Sequence, residues 1–179
     1  MFWIHPSKWG ASLATNPSSS SGPSLADLPR SVFVSGIGAI VLFVSVFMTW
    51  YTAKVTGLPM GLGGNANKSF SGWEATDLAR LVALLALVAI AAWAVELFVP
   101  DVTLPAPAWM IAGGAGALSA LFVLYRIASK PSLGVPELTL HIGNATIGVS
   151  KSTSFGIWLA LLASAATVAG AYLRKTEST

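Results

Sequence analysis

The sequence contains no cysteine. Disulfide frameworks, thiol nucleophiles, cysteine-ligated zinc and iron–sulfur clusters are therefore excluded. Charge is scarce as well: Asp, Glu, Lys and Arg make up 9% of the 179 residues, against about 25% in an average soluble domain. So few charges cannot cover a water-facing surface. The ten Lys and Arg are scattered along the chain, which leaves no nucleic-acid footprint. The two histidines, His5 and His141, have nothing to bring them together, and a metal site needs three or four ligands. No metal and no cofactor is expected.

Apolar residues are plentiful: 54% of the chain is hydrophobic and its mean hydropathy is +0.71. The apolar residues fall into four long runs, each near the roughly 20 residues that a membrane-crossing helix requires. The spacing predicts spans at about residues 31–51, 72–99, 106–127 and 155–173, within a membrane domain covering 31–175. Pro105 and Pro107 suit the first turn of the third helix, where a missing N–H costs nothing. Ser71-Gly-Trp-Glu74 opens the second as a capping box, in which Ser and Glu satisfy each other's free backbone N–H. Residues 1–30 read as a flexible tail, rich in Ser, Pro and Gly. They show none of the charged, apolar and small-residue zones of a signal peptide.

The connections are unequal. Spans two and three are joined by a short connector, so they form an antiparallel hairpin. The other two connections are long and share the opposite side. In the second, residues 137–142 and 146–150 alternate apolar and polar around Gly143-Asn-Ala, a hairpin signal. Leu138, Leu140 and Ile142 share one face of it. A lone hairpin is marginal in water, and residues 51–56 are the natural third strand. The expected fold is therefore an all-α membrane protein: a four-transmembrane-helix antiparallel bundle, with a small sheet formed by the two long loops on one face.

Ionisable groups inside a membrane mark transport or catalysis, and the span interiors hold none. Arg80 and Glu96 lie near the ends of span two, where such side chains snorkel to the headgroups. Glu96 has no obvious basic mate in the sequence, which keeps a partner contact open for it. The Gly-rich stretch before Lys68-Ser69 fails the phosphate-loop pattern, because Asn67 and Leu62 stand where glycines are needed. No catalytic residue is assigned. Gly113 and Gly116 with Ala117 and Ala120, and Ala163 with Thr167, Gly170 and Ala171, give spans three and four small faces. Such faces suit close helix packing, within the bundle or against a partner. Trp50, Trp73, Trp109 and Trp158 fall at span ends, as an aromatic belt does, and Trp3 and Trp9 in the tail suit a lipid surface or a partner.

Several short stretches resemble one family: Phe47-Met-Thr-Trp-Tyr51, Ser71-Gly-Trp-Glu-Ala75, Leu124-Tyr-Arg-Ile-Ala-Ser-Lys-Pro131, and Gly156-Ile-Trp-Leu-Ala-Leu-Leu-Ala163 followed by Gly170. Together they resemble small uncharacterised four-helix membrane proteins of high-GC Gram-positive bacteria, of actinobacterial type. The resemblance implies a bacterial plasma membrane with cytoplasmic termini, and it brings no activity. The lysine and arginine count does not decide the orientation. Arg30, Arg174 and Lys175 abut span ends and favour termini inside.

Three readings of function follow. The first is a non-catalytic accessory or structural subunit of a larger membrane complex, contacting the bilayer and other membrane subunits or itself through Trp3, Trp9, Glu96, Gly113 or Gly116. The second is a component of a small-solute or ion transporter or channel, whose polar path would have to come from Ser35, Ser45, Thr49, Ser119, Ser164 and Thr167. The third, an envelope-active enzyme with its site under the loop sheet, lacks a nameable nucleophile or base.

Overall fold

The computed structural model describes residues 29–56, 66–99, 101–130, 139–142 and 145–177, with the backbone alone at 66, 139–142 and 145–147. Five helices and four strands follow one another: α1 Arg30–Ser45, β1 Thr49–Thr56, β2 Ala66–Ser71, α2 Gly72–Ala75, α3 Asp77–Phe98, α4 Ala108–Ala128, β3 Thr139–Ile142, β4 Ala145–Thr153 and α5 Phe155–Glu177. The protein is mostly helical, and three helices, α3, α4 and α5, are long and apolar enough to cross a membrane.

α1 is the exception, at 16 residues. The first span was expected to run as helix to residue 51, and it stops at Ser45. Val46, Phe47 and Met48 each donate to the carbonyl three residues back, a tight closing turn. The chain then turns to strand, because Thr49-Trp-Tyr-Thr and Val55-Thr56 are β-branched or aromatic and fit a pleated surface better than a helix. Trp50 and Tyr51 do not anchor at a membrane interface. Both are buried in the core, and the Trp50 indole Nε1 donates to the Ser45 carbonyl at 2.8 Å, satisfying one of the last acceptors of α1.

The second span also differs from its expectation. The capping box at Ser71 forms: Ser71 Oγ accepts from the Glu74 backbone N–H, and Glu74 Oε2 accepts from the Ser71 N–H at 3.1 Å. It caps the single turn α2, however, and not the long helix. Thr76 breaks the chain in an extended conformation, and its hydroxyl accepts from Ala79 N–H to start α3 afresh. α4 begins at Ala108, two residues later than expected. Pro107 disfavours helical backbone at Ala106 and itself stands as the flanking cap.

The four long elements pack as a ring. α1 lies along α5 in the most extensive contact of the molecule, α5 along α4, α4 along α3, and α3 against α1 in the least extensive of the four. Neighbours run antiparallel: Ser31 at the start of α1 meets Glu177 at the end of α5, while Gly156 at the start of α5 abuts Met48 and Thr49 beyond the end of α1. A Cβ on Gly38 would come within 2.8 Å of the Thr167 backbone nitrogen, and one on Gly170 within 2.7 Å of the Ser35 side chain. Only glycine at these two positions lets α1 and α5 approach so closely.

The strands form one antiparallel sheet in the order β2-β1-β4-β3 at the end of the ring where α1 and α4 finish and α3 and α5 begin. β1 pairs with β4 from Tyr51↔Thr153 to Thr56↔Gly148, and β3 pairs with β4 from Thr139↔Gly148 to Ile142↔Ala145. The expected sheet is present with one strand more. β2, Ala-Asn-Lys-Ser-Phe-Ser, reads as polar loop and becomes a strand because the free edge of β1 offers it backbone partners. Glu137, Leu138 and the turn residues Gly143 and Asn144 lie outside the described residues.

Candidate functional site

The titratable residues gather at the two ends of the ring, since each long helix carries its charges only in its first or last turns. Between the ends, the interior polar groups are hydroxyls. Ser45 donates to Leu42 O, Ser164 to Leu161 O and Thr167 to Ala163 O. Each is turned back on its own helix, as buried Ser and Thr in helices often are. Ser35 reaches across to Thr167 O at 3.1 Å and accepts from Trp93 Nε1 at 2.9 Å, which links α1 to α5 and α3. Ser119 Oγ has no hydrogen-bond partner among the described residues. Of the six residues that would have lined a polar path, five are buried and Thr49 is half-buried, and three of the hydroxyls bond within their own helix.

At the end where α1 begins and α5 finishes, Glu96 finds the basic mate that the sequence did not reveal. Arg174 Nη2 donates to Glu96 Oε1 at 3.2 Å, and Arg174 Nη1 lies 4.0 Å from Glu177 Oε2. Ser31 Oγ donates to Glu177 Oε2 at 2.5 Å. One ionic chain therefore ties α3, α5 and α1 together. Glu96 and Arg174 stand 78 residues apart, so only the packing of α5 against its neighbours brings them together. The pair opens onto a cleft of about 540 Å³, whose far wall is the connector Val102–Ala106 and the start of α4 at Pro107–Trp109. Lys175 Nζ sits 5.9 Å from the centre of the Trp109 ring.

At the sheet end, Tyr51 is fully buried and its hydroxyl donates to the Arg126 carbonyl at 3.0 Å. Burial pushes the Tyr51 phenol up to about 12, partly opposed by the nearby Arg126 charge. Arg126 Nε is buried without a hydrogen-bond partner. Lys130 Nζ donates to the Lys151 carbonyl at 3.2 Å. On the far side, Arg80 pairs with Asp77 at 3.0 Å and lies over Trp73, which stacks on Phe47. The Ser71 backbone N–H, followed by its hydroxyl, holds the Glu74 carboxyl below its ordinary value. Trp73 and Trp158 are exposed and Trp109 half-buried near helix ends, as a belt would place them, whereas Trp50 is in the core.

On the small-residue face of α4, Gly113 and Gly116 turn inward, while Ala117 is exposed. A Cβ on Gly116 would meet Thr167 and Val168 at 3.1 Å, and one on Gly113 would meet Ala171 at 3.1 Å. Gly113 and Gly116 thus contact α5 of the same chain. Gly36 and Gly114, by contrast, have open space where a Cβ would stand. Trp3 and Trp9 lie outside the described residues, as does the His141 side chain. Among the described residues no group of three or more His, Asp or Glu is placed to hold a metal ion. No protein-family model matches the chain, and no curated protein matches it either.

Proposed function

We propose that this chain is a non-catalytic, multi-pass protein of a bacterial plasma membrane that serves as an accessory or structural subunit of a larger membrane complex. The observation that carries this reading is where the chemistry is missing and where apolar surface remains. The middle of the ring holds only buried hydroxyls, while Phe33, Ile37, Ile40 and Val44 of α1 and Leu84, Leu87 and Val88 of α3 point outward and exposed. A surface of this kind suits lipid and the flanks of other membrane helices. Extraction in a mild detergent followed by lysine crosslinking tests the subunit role. A chain that elutes as a lone monomer, with no crosslinked species, sinks it.

The four-span reading goes with this proposal. Sixteen residues of α1 reach about 24 Å, short of a hydrocarbon core about 30 Å thick. The turn Val46–Met48 extends it, and the two together run the length of α5 from Glu177 to Gly156. Four crossings put both termini on one side. Because the chain has no cysteine, single reporters are simple to place. Arg30→Cys and Thr176→Cys should react with an impermeant thiol reagent from one side, and Lys54→Cys from the other; Arg30 and Thr176 labelling from opposite sides would leave three crossings. The same labelling reads the orientation. Arg30, Arg174 and Lys175 favour termini in the cytoplasm, while Lys54, Lys68, Arg80, Arg126, Lys130 and Lys151 at the sheet end pull the other way.

The alternative reading, a component of a small-solute or ion transporter or channel, draws on the cleft beside Glu96 and Arg174. Flux into proteoliposomes that disappears in Glu96→Gln would favour it.

A further inference from the structure

We propose that the outer face of α1 holds one two-chain phospholipid, with its phosphate on Arg30 and its acyl chains in the grooves on either side of Phe33 and Ile37. These two side chains are exposed and form a ridge along the helix. On one side the ridge bounds a groove of about 260 Å³ shared with α3, and on the other a groove of about 420 Å³ shared with α5. Gly36, Ile40, Trp93 and Leu97 line the first, and Val34, Val41, Leu162 and Ala166 the second. The one indole N–H in these walls, that of Trp93, is turned to Ser35. Both grooves are thus apolar throughout. Arg30 precedes Phe33 by three residues and Ile37 by seven, so it stands at the head of the ridge they form.

Arg30 is exposed and forms no ion pair among the described residues. The first turn of α1 has no acidic residue. Of the described acids at this end, Glu96 is held by Arg174, and Glu177 by Ser31 and Arg174. Asp101 stands on the connector between α3 and α4. A guanidinium without a carboxylate suits an oxyanion, and phosphate meets its donors two at a time.

Shape selects a lipid over a partner helix. From Phe33 to Ile40 the first groove runs about 10 Å, and a helix with its side chains is about 10–12 Å across. Such a helix is too broad to enter a groove of about 260 Å³ over that length, whereas a methylene chain is slender enough. Lipid tails are as apolar as leucine, so a chain prefers this place to the surrounding bilayer only through its fit and its headgroup. The α1 face offers both, with two slots flanking a ridge and one cation at its head. A chain in the first slot also covers the least extensive helix contact of the ring, that of α1 with α3. α1 begins at the end of the ring where α3 and α5 finish, which in the four-span reading is the level of the headgroups. The proposal rests on that reading and is independent of the subunit role.

The test is retention by the full chain, purified in a neutral detergent and read by native mass spectrometry. Three probes are offered in equal amounts: phosphatidylglycerol, its single-chain lyso form, and diacylglycerol, which lacks the phosphate. Phosphatidylglycerol should be retained over both others. Arg30→Gln should weaken its binding about fivefold, the effect of one basic residue near an anionic group, and leave diacylglycerol unchanged. A Cβ on Gly36 meets open space, so Gly36→Leu fills one slot without disturbing the fold. It should lower phosphatidylglycerol to the level of the lyso form. Gly114→Leu, also in open space but on α4, should change nothing. Diacylglycerol retained as well as phosphatidylglycerol overturns the role of Arg30, and lyso lipid retained as well as the two-chain form overturns the pair of slots. Equal losses in Gly36→Leu and Gly114→Leu would show a diffuse surface effect and overturn the site. A photoreactive residue in place of Ile37 should crosslink to lipid in native membranes; crosslinking to protein instead would give this face to a partner. Failure of the chain to float with liposomes would sink the membrane reading beneath the proposal.

Discussion

The two ends of the bundle close in opposite ways. At the terminus end, charge is spent in the Arg174 ion pairs, which tie α5 to α3, and a hydrogen bond from Ser31 to Glu177 adds α1. At the sheet end the one ion pair among the described residues, Arg80–Asp77, lies within α3, and cohesion comes from packing. Its centre is Trp50. A Cβ on Gly72 would lie 2.7 Å from the Trp50 ring, and one on Gly156 would lie 3.0 Å from it and 2.6 Å from the Thr49 carbonyl. The indole is therefore seated between the starts of α2 and α5. Where electrostatics is satisfied internally, an end can be loosely packed around an open cleft. Where packing supplies the cohesion, the described ion pair stays within one helix and bridges nothing.

That contrast breaks most readily at the Trp50 seat. Gly156→Ala should cost about 2–3 kcal/mol by overpacking against backbone that cannot yield, read as a lowered midpoint of thermal unfolding in detergent. Gly36→Ala, with open space around it, should change stability by no more than about 1 kcal/mol and in the stabilising direction. Equal effects at the two glycines would remove the argument for a tightly seated sheet end. Trp50→Phe should cost about 1–3 kcal/mol, because the Ser45 carbonyl loses its donor and a void opens beside Gly72.

The terminus end should prove softer. Glu96→Gln and Arg174→Gln are each expected to cost roughly 0.5–1 kcal/mol, given that both side chains keep about a third of their exposure. A double variant no worse than either single one would show that they act on each other; additive losses would deny the pair.

Two smaller effects depend on pH. Tyr51 has a folded value raised from 10.0 to about 12, so its contribution is intact below pH 10 and fades as pH rises towards 12. Tyr51→Phe should remove that alkaline limb from the unfolding profile. Glu74 is depressed in the folded state, so its support for α2 is present above its ordinary value of 4.5 and is lost as pH falls below that. Amide exchange across Gly72–Ala75 should quicken in acid relative to Glu74→Gln, in which the cap no longer titrates. This is the smallest change expected, confined to a single turn.

Much of the architecture was legible because lipid imposes long charge-free runs, and α3, α4 and α5 follow them to within a few residues. The hairpin β3–β4 was legible from alternation. Three features were not. α1 ends early because strand pairing claims Thr49–Thr56, and an apolar run cannot show where helix gives way to sheet. β2 has no strand signature of its own. The Glu96–Arg174 pair depends on which helices become neighbours, which no local pattern encodes. Trp50 was misread for a related reason: a tryptophan at a span end and one in a glycine-lined seat look alike until the glycines, 22 positions later at Gly72 and far beyond at Gly156, are folded against it.

One consequence concerns time. α1 finds its fullest contact on α5, and β1 its long partner in β4, so the first of the described helices to be made depends on the last. At synthesis rates of about 5–20 residues per second, the stretch from Ser45 to Phe155 takes roughly 5–20 s to emerge. During that interval α1, the shortest of the four long helices, with Gly38, Ser35 and Ser31 bare along one side, has only its weaker neighbour α3 to hold it. Maturation of this protein is thus a wait followed by a zipping shut, and a chain truncated before α5 should leave its first helix without a stable home.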